Sequence, residues 1–240
     1  MSTFYATILK NIHRIIYHII NIRLWMRHKD KHSEQERYEY AQEIVHTLNR
    51  SSHCKTIAYG QENLPSEGGY MMYPNHQGKY DALGIIITHE KPCTFIMDEK
   101  RSHMPLVVEI MMLIEAKVLV FDDLRQNIRL FQEMADEIDN RGRRFILFPE
   151  GGYEENNGNR LEPFKAGSFK AAQMAKCPIV PVALVDSYKV FNSPEKAPFT
   201  TYVYYLEPIY YEEYKDMKTR EIASLVEQRI RDKINEHLQG

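Results

Sequence analysis

The chain has 240 residues, of which 43% are hydrophobic, and its formal net charge is −2. This length and apolar content are enough for one sizeable domain with an appendage, and a mean hydropathy of −0.49 argues against several membrane spans. Cys54, Cys93 and Cys177 are scattered, without the spacing of metal ligands or a redox pair. No cleavable signal peptide is recognisable, so we expect a reducing, cytoplasmic setting with no disulfide, metal or bound cofactor.

The first 29 residues carry the strongest charge asymmetry. Lys10, Arg14, Arg23, Arg27 and Lys29 give this segment a formal charge of +5 with no acidic residue, which leaves −7 for the rest of the chain. Its apolar residues recur at helical spacing: Tyr5, Ile8, Leu9, Ile12, Ile15, Ile16, Ile19 and Ile20. The polar residues are expected on the other side: Thr7, Lys10, Asn11, Arg14, His18 and Asn21.

We expect this amphipathic helix to lie in a membrane interface. A spanning orientation would place Lys10 and Arg14 in hydrocarbon at about 2.5–3.5 kcal/mol each, whereas an anionic surface attracts each basic residue by about 1 kcal/mol. The alternative is that the apolar side packs on the domain core and the basic side faces water. A second helix, expected at 33–50, would complete a helical hairpin, so residues 1–50 are assigned to a membrane-associating region and residues 51–240 to the main domain.

The main domain alternates between strand-like and helix-like segments. Helices are expected at 123–141, 163–176 and 218–238, and strands at 55–59, 70–73, 94–97, 117–121, 144–148, 179–184 and 201–206. Alternating strands and helices predict an α/β fold with a mainly parallel or mixed sheet, covered by helices on both faces.

Two polar segments each follow a strand-like run directly. Residues 75–81 read Asn-His-Gln-Gly-Lys-Tyr-Asp, and residues 148–151 read Phe-Pro-Glu-Gly. Sheets of this kind bind ligands beyond the carboxyl ends of their strands, so we expect both segments to converge at one edge.

The spacing of His76 and Asp81 indicates that the histidine precedes a helix. Five helical steps of about 100° would set the two side chains roughly 140° apart, so they could not share one helical face. If residues 75–78 form a turn and a helix begins near Lys79, Asp81 can reach back to the imidazole. A histidine held by a carboxylate is the arrangement of an oriented general base.

These segments resemble blocks of the phospholipid and glycerol acyltransferase family, and the resemblance extends over residues 55–210. Residues 75–81 resemble the catalytic block of that family, and residues 148–151 resemble its acceptor-binding block. Residues 164–170 followed by 179–182 resemble the closing block, whereas residues 95–125 are only a loose match. The best-known members of this family acylate lysophosphatidic acid.

The resemblance implies transfer of a fatty acyl group from a thioester donor, acyl-CoA or acyl carrier protein, to the hydroxyl of a lysophospholipid. His76 would act as the general base and Asp81 as its orienting acid, while Asn75 and the Glu150-Gly151-Gly152 segment would contact substrate. The chain has no Gly-x-Ser-x-Gly elbow, so the substrate hydroxyl would attack the thioester directly. Backbone N–H groups at Gln77-Gly78 or Gly151-Gly152 are candidate donors to the oxyanion.

The chain departs from the family pattern where the acceptor's phosphate would bind. Many relatives have Thr-Arg after Phe-Pro-Glu-Gly, and that arginine contacts the phosphate, but this chain has Gly152-Tyr153. Cationic side chains elsewhere could replace it, because a phosphate needs cationic donors wherever they arise. The candidates are Lys100, Arg101, Arg125 and Lys165. The alternative is an acceptor alcohol without a phosphate.

Other functional classes stay open at this stage. A thioesterase would use the same dyad to activate water, and a membrane-binding module without catalysis would need only the basic helix. A nucleic-acid role is disfavoured, because the main domain is net acidic. We therefore expect an acyltransferase domain at 51–240, peripheral on the cytoplasmic face of a membrane, with an acyl thioester, a lysolipid and an anionic membrane surface as partners.

Overall fold

The computed structural model describes residues 3–104, 106–120, 123–154, 157–192 and 197–240, with the side chains of residues 3–6 excepted. Across these ranges a single sheet of seven strands runs in the order β1-β7-β6-β2-β5-β3-β4. The strands are β1 Cys54–Tyr59, β2 Tyr70–Pro74, β3 Thr94–Asp98, β4 Lys117–Leu119, β5 Arg144–Ile146, β6 Ile179–Val185 and β7 Phe199–Tyr205.

The sheet is mixed, with one antiparallel pairing. Strands β6 and β7 run antiparallel, with Val182 opposite Tyr205, while all other neighbouring pairs are parallel. The interior strand β6, between β7 and β2, is buried along its whole length, in keeping with its sequence Ile-Val-Pro-Val-Ala-Leu-Val. The predicted α/β class with a mixed sheet covered on both faces is confirmed.

Helices cover both faces of the sheet. They are α1 Thr3–Lys10, α2 Ile12–Arg27, α3 Glu34–Ser52, α4 Asp81–Thr88, α5 Glu99–Ser102, α6 Val107–Ile114, α7 Leu124–Arg141, α8 Lys170–Ala175, α9 Tyr188–Phe191, α10 Tyr211–Tyr214 and α11 Thr219–Gln239. Residues of α7, α8 and α11 form the core on one face, and residues of α2, α3, α4 and α6 form it on the other.

Several predicted boundaries differ from the observed ones. The strand expected at 117–121 ends at Leu119, and its last predicted position lies outside the described residues. The strand expected at 144–148 ends at Ile146, three residues before Pro149, which has no N–H to donate. The helix expected at 163–176 is a 3-10 turn, Ala166–Phe169, followed by the short α8.

The N-terminal helices pack on the domain partly through residues that the sequence places on their polar side. Thr7, Asn11 and His18 are buried beside Ile15 and Ile22. Most of the predicted apolar side is exposed instead: Leu9 66%, Ile12 45%, Ile16 52% and Ile20 55%, together with Tyr17 62% and Leu24 48%. The alternative in which the apolar side packs on the domain core is therefore wrong, while contact of that side with a membrane stays a prediction.

Hydrogen bonds to α3 explain this orientation. The Asn11 side chain donates to Thr7 O at 2.8 Å and accepts from Ser51 Oγ at 2.8 Å, while His18 Nδ1 lies 3.1 Å from Tyr40 Oη. These polar partners allow the polar residues of α1 and α2 to be buried, so the apolar residues remain outside. Among the described residues, no helix combines the length and the apolar character that a membrane span needs.

Below the end of α4, a buried histidine joins two parts of the core. His89 Nδ1 donates to Lys91 O at 2.6 Å, so Nε2 accepts from Tyr70 Oη, also at 2.6 Å. Burial lowers the pKa of His89 to about 4, and the charges of Arg144 and Lys91 add to that effect against the Lys91 hydrogen bond. The imidazole is therefore neutral in the folded protein at neutral pH.

We expect His89 to make the fold sensitive to mild acid. The unfolded chain binds this proton near pH 6.5 but the folded chain only near pH 4, so stability is lost as the pH falls between those values. The free energy of unfolding from urea titrations should drop by about 2 kcal/mol more in wild type than in His89→Gln between near pH 7.5 and near pH 5. His46→Gln, on the exposed side of α3, should follow wild type. An equal loss in all three proteins would contradict the role of His89.

Candidate active site

The two polar segments meet at the carboxyl ends of adjacent parallel strands. His76 follows β2 and Glu150 follows β5, and these strands pair in register from Tyr70 opposite Arg144. The backbone N–H of His76 donates to Glu150 Oε1 at 2.9 Å. The sequence prediction that the two segments converge is therefore correct, and the contact between them is direct.

His76 and Asp81 form a hydrogen-bonded pair at the start of α4. His76 Nδ1 lies 2.7 Å from Asp81 Oδ2, and Asp81, the first residue of α4, is fully buried. A carboxylate partner requires the proton on Nδ1, which leaves Nε2 as the ring nitrogen that can accept a proton from a substrate. The N-terminus of α4 also favours the negative charge of Asp81.

Asp81 also accepts hydrogen bonds from two backbone N–H groups of the turn and from a hydroxyl of a distant loop. Its Oδ2 accepts from Gln77 N at 2.5 Å and from Gly78 N at 2.9 Å. Its Oδ1 accepts from Ser187 Oγ at 2.5 Å. The carboxylate therefore holds the turn at residues 75–78 in shape as well as orienting the imidazole.

These bonds correct one expectation about the oxyanion donors. The N–H groups of Gln77 and Gly78 point at Asp81 and are not available to a substrate. Gly151 N donates to Phe148 O at 3.2 Å, which closes the turn after β5. Gly152 lies in an extended, left-handed conformation with open space around the position of a side chain, so its N–H is the remaining backbone candidate.

The imidazole of His76 is held between two aromatic rings. It stacks on Phe148 with ring centroids 4.2 Å apart, and Tyr153 packs edge-on against it at 4.7 Å. The Arg101 guanidinium lies over the ring of Tyr153, with its central carbon 5.2 Å from the ring centroid. Tyr153 therefore connects the general base candidate with a cationic side chain.

His76 faces a cavity of about 460 Å³ whose walls are mainly apolar. One wall comes from Ile8 of α1, Leu48 of α3 and Ile110 of α6, and the opposite wall includes Phe131 of α7. Three cationic side chains also line the cavity: Lys79, Arg101 and Lys165. Apolar walls combined with cationic groups suit a ligand with a long hydrocarbon part and an anionic group.

Not every residue predicted to contact substrate reaches this cavity. Asn75 is buried and bridges to β6, with Nδ2 donating to Leu184 O at 3.0 Å and Oδ1 accepting from Leu184 N at 2.7 Å. Lys100 is exposed and is not among the described residues that line the cavity. Arg125 lines a separate surface depression beside β4 and α7. The structure therefore does not place these three residues at the cavity, and their assignment as substrate contacts stays a prediction.

Four other predicted residues do reach the cavity. Arg101 and Lys165 line it, as do Gly151 and Gly152. A Cβ atom at Gly151 would collide with Lys165 Nζ, and its φ of +74° is in the left-handed region. Glycine is favoured at 151 chiefly by this backbone conformation, because the Nζ atom is the flexible end of the lysine and can move aside.

Glu150 supports the site from below rather than lining the cavity. It is 6% exposed, and its Oε2 has no hydrogen-bond partner among the described residues. Burial raises the pKa of Glu150 to about 8, and the negative charge of Asp81 raises it further against the hydrogen bond from His76. We interpret Glu150 as a mainly neutral acid at pH 7 that fixes the backbone of His76.

Several residues of the site gave no signal in the sequence. Ser187 follows β6 and lies far from Asp81 along the chain, and only the position of β6 next to β2 brings it close. Asn192 accepts from Lys79 N at 3.1 Å and occupies the space that a side chain at Gly78 would need. Lys79 lies within residues 75–81, where the sequence predicts only the start of a helix, yet it lines the cavity.

Comparison with known proteins decides the family. The family model described as Acyltransferase matches residues 55–185, which is more than half of the chain. The chain belongs to the acyltransferase family. That match includes residues 75–81, residues 148–151 and β6, so the resemblance inferred from the sequence blocks is confirmed.

The relatives of this acyltransferase-family chain carry related names. It is 28% identical over 180 residues to a 1-acyl-sn-glycerol-3-phosphate acyltransferase of Saccharomyces cerevisiae, covering 74% of this chain and 59% of that one. It is 31% identical over 144 residues to 1-acyl-sn-glycerol-3-phosphate acyltransferase alpha of Homo sapiens, covering 59% and 49%. The chain thus spans 49–59% of the length of these two relatives.

A solved structure shares the fold of this acyltransferase-family chain. The crystal structure of the 1-acyl-sn-glycerophosphate (LPA) acyltransferase PlsC from Thermotoga maritima superimposes with a TM-score of 0.72. The match covers 96% of this chain and 97% of that one at 18% identity. The likeness therefore includes the N-terminal helices as well as the sheet.

We expect Glu150→Gln to make the fold more tolerant of alkaline conditions. The unfolded chain loses the Glu150 proton near pH 4.5 and the folded chain near pH 8, so stability is lost as the pH rises between those values. Glutamine keeps an acceptor for His76 N and carries no charge. Between near pH 5 and near pH 8, wild type should lose about 2–4 kcal/mol more than the variant in urea titrations. Glu154→Gln, an exposed change in the same loop, is the control, and a variant that loses as much as wild type would refute this role.

Proposed function

We propose that the chain is an O-acyltransferase that moves a fatty acyl group from a thioester donor to the hydroxyl of a lysophospholipid, with 1-acyl-sn-glycerol-3-phosphate as the first acceptor to test and phosphatidic acid as the product. Family membership and the names of the relatives support the reaction class. The observation that carries the proposal is a histidine, oriented by a buried carboxylate, that faces an apolar cavity with cationic side chains.

The proposed chemistry uses the Nε2 atom of His76. As the acceptor hydroxyl attacks the thioester carbonyl, its proton passes to Nε2 and a tetrahedral oxyanion forms. Asp81 stabilises the imidazolium through the bond to Nδ1. Collapse of the intermediate breaks the carbon–sulfur bond, and the imidazolium returns its proton to the leaving thiolate, so the ester and the free thiol are released with the enzyme unchanged.

The anionic part of the acceptor is proposed to bind near Tyr153. Arg101 lies against its ring at 5.2 Å and the Lys79 ammonium at 6.0 Å, and both residues line the cavity. Cationic donors in this position would serve a phosphate in place of the arginine that many relatives carry after the glutamate–glycine pair. Lys165, on the other side of Gly151, is a third candidate.

Two other outcomes remain open for the same cavity. An acceptor alcohol without a phosphate would use Tyr153 as an apolar or hydroxyl contact, since the family's arginine is replaced there. A thioesterase would let water take the place of the acceptor. The donor carrier, coenzyme A or acyl carrier protein, is distinguished by offering the protein both kinds of thioester.

Contact with a membrane surface is part of the proposal. The exposed apolar residues of α1 and α2 form a stripe along one side of the hairpin: Leu9, Ile12, Ile16, Tyr17, Ile20 and Leu24. Basic residues on the same helices are exposed beside it: Lys10, Arg14, Arg23 and Arg27. This combination suits an interfacial helix on anionic lipid, so we propose a peripheral protein on the cytoplasmic face of a membrane. The wall of the cavity that contains Ile8 belongs to α1, which would bring lipid substrates close to the site.

We expect His76→Ala to lose acyl transfer by about two to four orders of magnitude, because the positioned base is removed. The purified variant and wild type are offered a panel of lysolipids with acyl-CoA or acyl carrier protein thioesters, and products are identified by mass. His46→Ala, a change on the surface of α3, should retain full activity. Free fatty acid without an acylated lipid would indicate a thioesterase, and full transfer by His76→Ala would overturn the role of the imidazole.

We expect the exposed stripe to control binding to lipid vesicles. Replacing Ile12, Ile16 and Ile20 together by serine removes apolar area that would be buried in the interface, at about 1 kcal/mol or more per side chain. The binding constant for phosphatidylglycerol vesicles, measured by sedimentation, should therefore fall by about a hundredfold or more. Leu238→Ser, at a residue that is 57% exposed on α11, is the matched control. Unchanged sedimentation of the triple variant would remove the proposed membrane surface.

A further inference from the structure

The second oxygen of the Asp81 carboxylate is satisfied by a serine from another part of the chain. Ser187 is 3% exposed, and its Oγ lies 2.5 Å from Asp81 Oδ1 and 2.9 Å from Gln77 Oε1. Among the described residues, Ser187 is the one side-chain donor to Oδ1, whereas Oδ2 receives His76 and two backbone N–H groups. The orientation of the carboxylate is therefore fixed from both oxygens.

The hydroxyl proton of Ser187 belongs on the bond to Asp81. Gln77 Oε1 already accepts from Ser187 N at 3.0 Å, while the Nε2 of the same amide donates to Asn159 Oδ1 and to Leu184 O. A carboxylate is the stronger acceptor, and its distance to the hydroxyl is the shorter of the two. The amide of Gln77 thus positions the backbone of Ser187, and the hydroxyl is left to Asp81.

The turn that presents Ser187 is held in an unusual conformation. Asp186, directly after β6, has a φ of +63°, which is uncommon for a residue with a side chain. Asn159 supports it from both directions, since Asn159 Nδ2 donates to Asp186 Oδ1 at 2.9 Å and Asp186 N donates to Asn159 Oδ1 at 2.8 Å. Lys189 also pairs with Asp186 Oδ2 at 2.9 Å. Such strain persists only where the surroundings fix it, and here the result is a hydroxyl aimed at the dyad.

We propose that Ser187 is a positioning residue of the His76–Asp81 dyad, which extends the pair to a Ser–Asp–His relay in which the serine is not a nucleophile. The proposal rests on the proposed function for its kinetic consequences, but not for its structural ones. Ser187 does not touch the reacting atoms. Its hydrogen bond to Oδ1 prevents rotation of the Asp81 carboxylate away from His76 Nδ1. The same bond withdraws electron density from Oδ2, the oxygen that faces the imidazole.

Two effects follow from removing the hydroxyl. A buried carboxylate oxygen without its donor becomes a stronger acceptor on the imidazolium side, so protonation of His76 becomes easier and its titration midpoint moves to higher pH. The carboxylate also gains freedom to rotate, so the productive orientation of the imidazole is populated less often. The first effect is electrostatic and the second geometric, and loss of packing alone would produce neither a shifted midpoint nor a selective loss of kcat.

The test uses the full chain with Ser187→Ala, and Ser187→Cys as a variant that keeps the volume with a weak donor. The titration midpoint of the His76 imidazole is read by NMR of histidine-labelled protein, with the signal assigned by its loss in His76→Gln. Ser187→Ala should move the midpoint up by about half a unit to one unit, with Ser187→Cys between it and wild type. The kcat of acyl transfer should fall about 5- to 50-fold with KM within about twofold.

Ser52→Ala is the matched control, because Ser52 is equally buried at 3% and donates to backbone carbonyls of α3. Its midpoint and kcat should equal those of wild type. Superimposable titration curves for wild type, Ser187→Ala and Ser187→Cys would overturn the proposal, as would an equal shift in Ser52→Ala. The titration needs no substrate, so it still decides the role of Ser187 if wild type acylates no lysolipid, a result that would count against the proposed function alone.

Discussion

The buried carboxylate of Asp81 is the interaction on which the geometry of this site depends. Four donors converge on it: the imidazole of His76, two backbone N–H groups of the turn and the hydroxyl of Ser187. A buried charge is tolerated only when its hydrogen bonds are complete, so the turn, the start of α4 and the loop after β6 must assemble together. The imidazole is therefore oriented by the fold before any substrate arrives.

A second carboxyl group fixes the same histidine through its backbone. Glu150 reaches across from the end of β5 to the N–H of His76, and Phe148 from the same segment stacks on the imidazole ring. The two family blocks thus depend on each other physically, because one contains the proposed general base and the other holds it. The acidic groups differ in role: Asp81 orients the ring, whereas the raised pKa of Glu150 suits a neutral acid below it.

Much of the fold and part of the site could be predicted from the sequence, for identifiable reasons. The alternation of strands and helices predicts the α/β class, and the angular argument for His76 and Asp81 predicts a helix start near Lys79, two residues before the observed start at Asp81. Periodicity measures only relative angles, so it could not tell which side of α1 and α2 would find partners such as Ser51 and Tyr40. Ser187 was beyond reach, because its contact depends on strand order rather than on spacing. The sequence also could not show that Lys100 and Arg125 lie away from the cavity beside His76, since chemical type alone does not say which cavity a side chain lines.

The apolar cavity extends from the turn at residues 75–78 to the N-terminal helix α1. The cavity is lined by residues from both faces of the sheet. One of them, Ile8, lies on α1, and α1 and α2 together expose the apolar stripe. The proposed membrane surface and the proposed lipid site are therefore parts of one continuous arrangement. Arg23 strengthens this connection, because it pairs at 2.8 Å with the buried Glu109 of α6, whose other oxygen accepts from the N–H of Leu106, a cavity-lining residue.

The most direct test of the account is the tautomer of His76 at mildly alkaline pH, read from the ¹⁵N chemical shifts of its two ring nitrogens. The account predicts a proton on Nδ1, shared with Asp81, and an unprotonated Nε2 that faces the cavity. A proton on Nε2 would contradict it, because a nitrogen that already carries a proton cannot take one from a lipid hydroxyl.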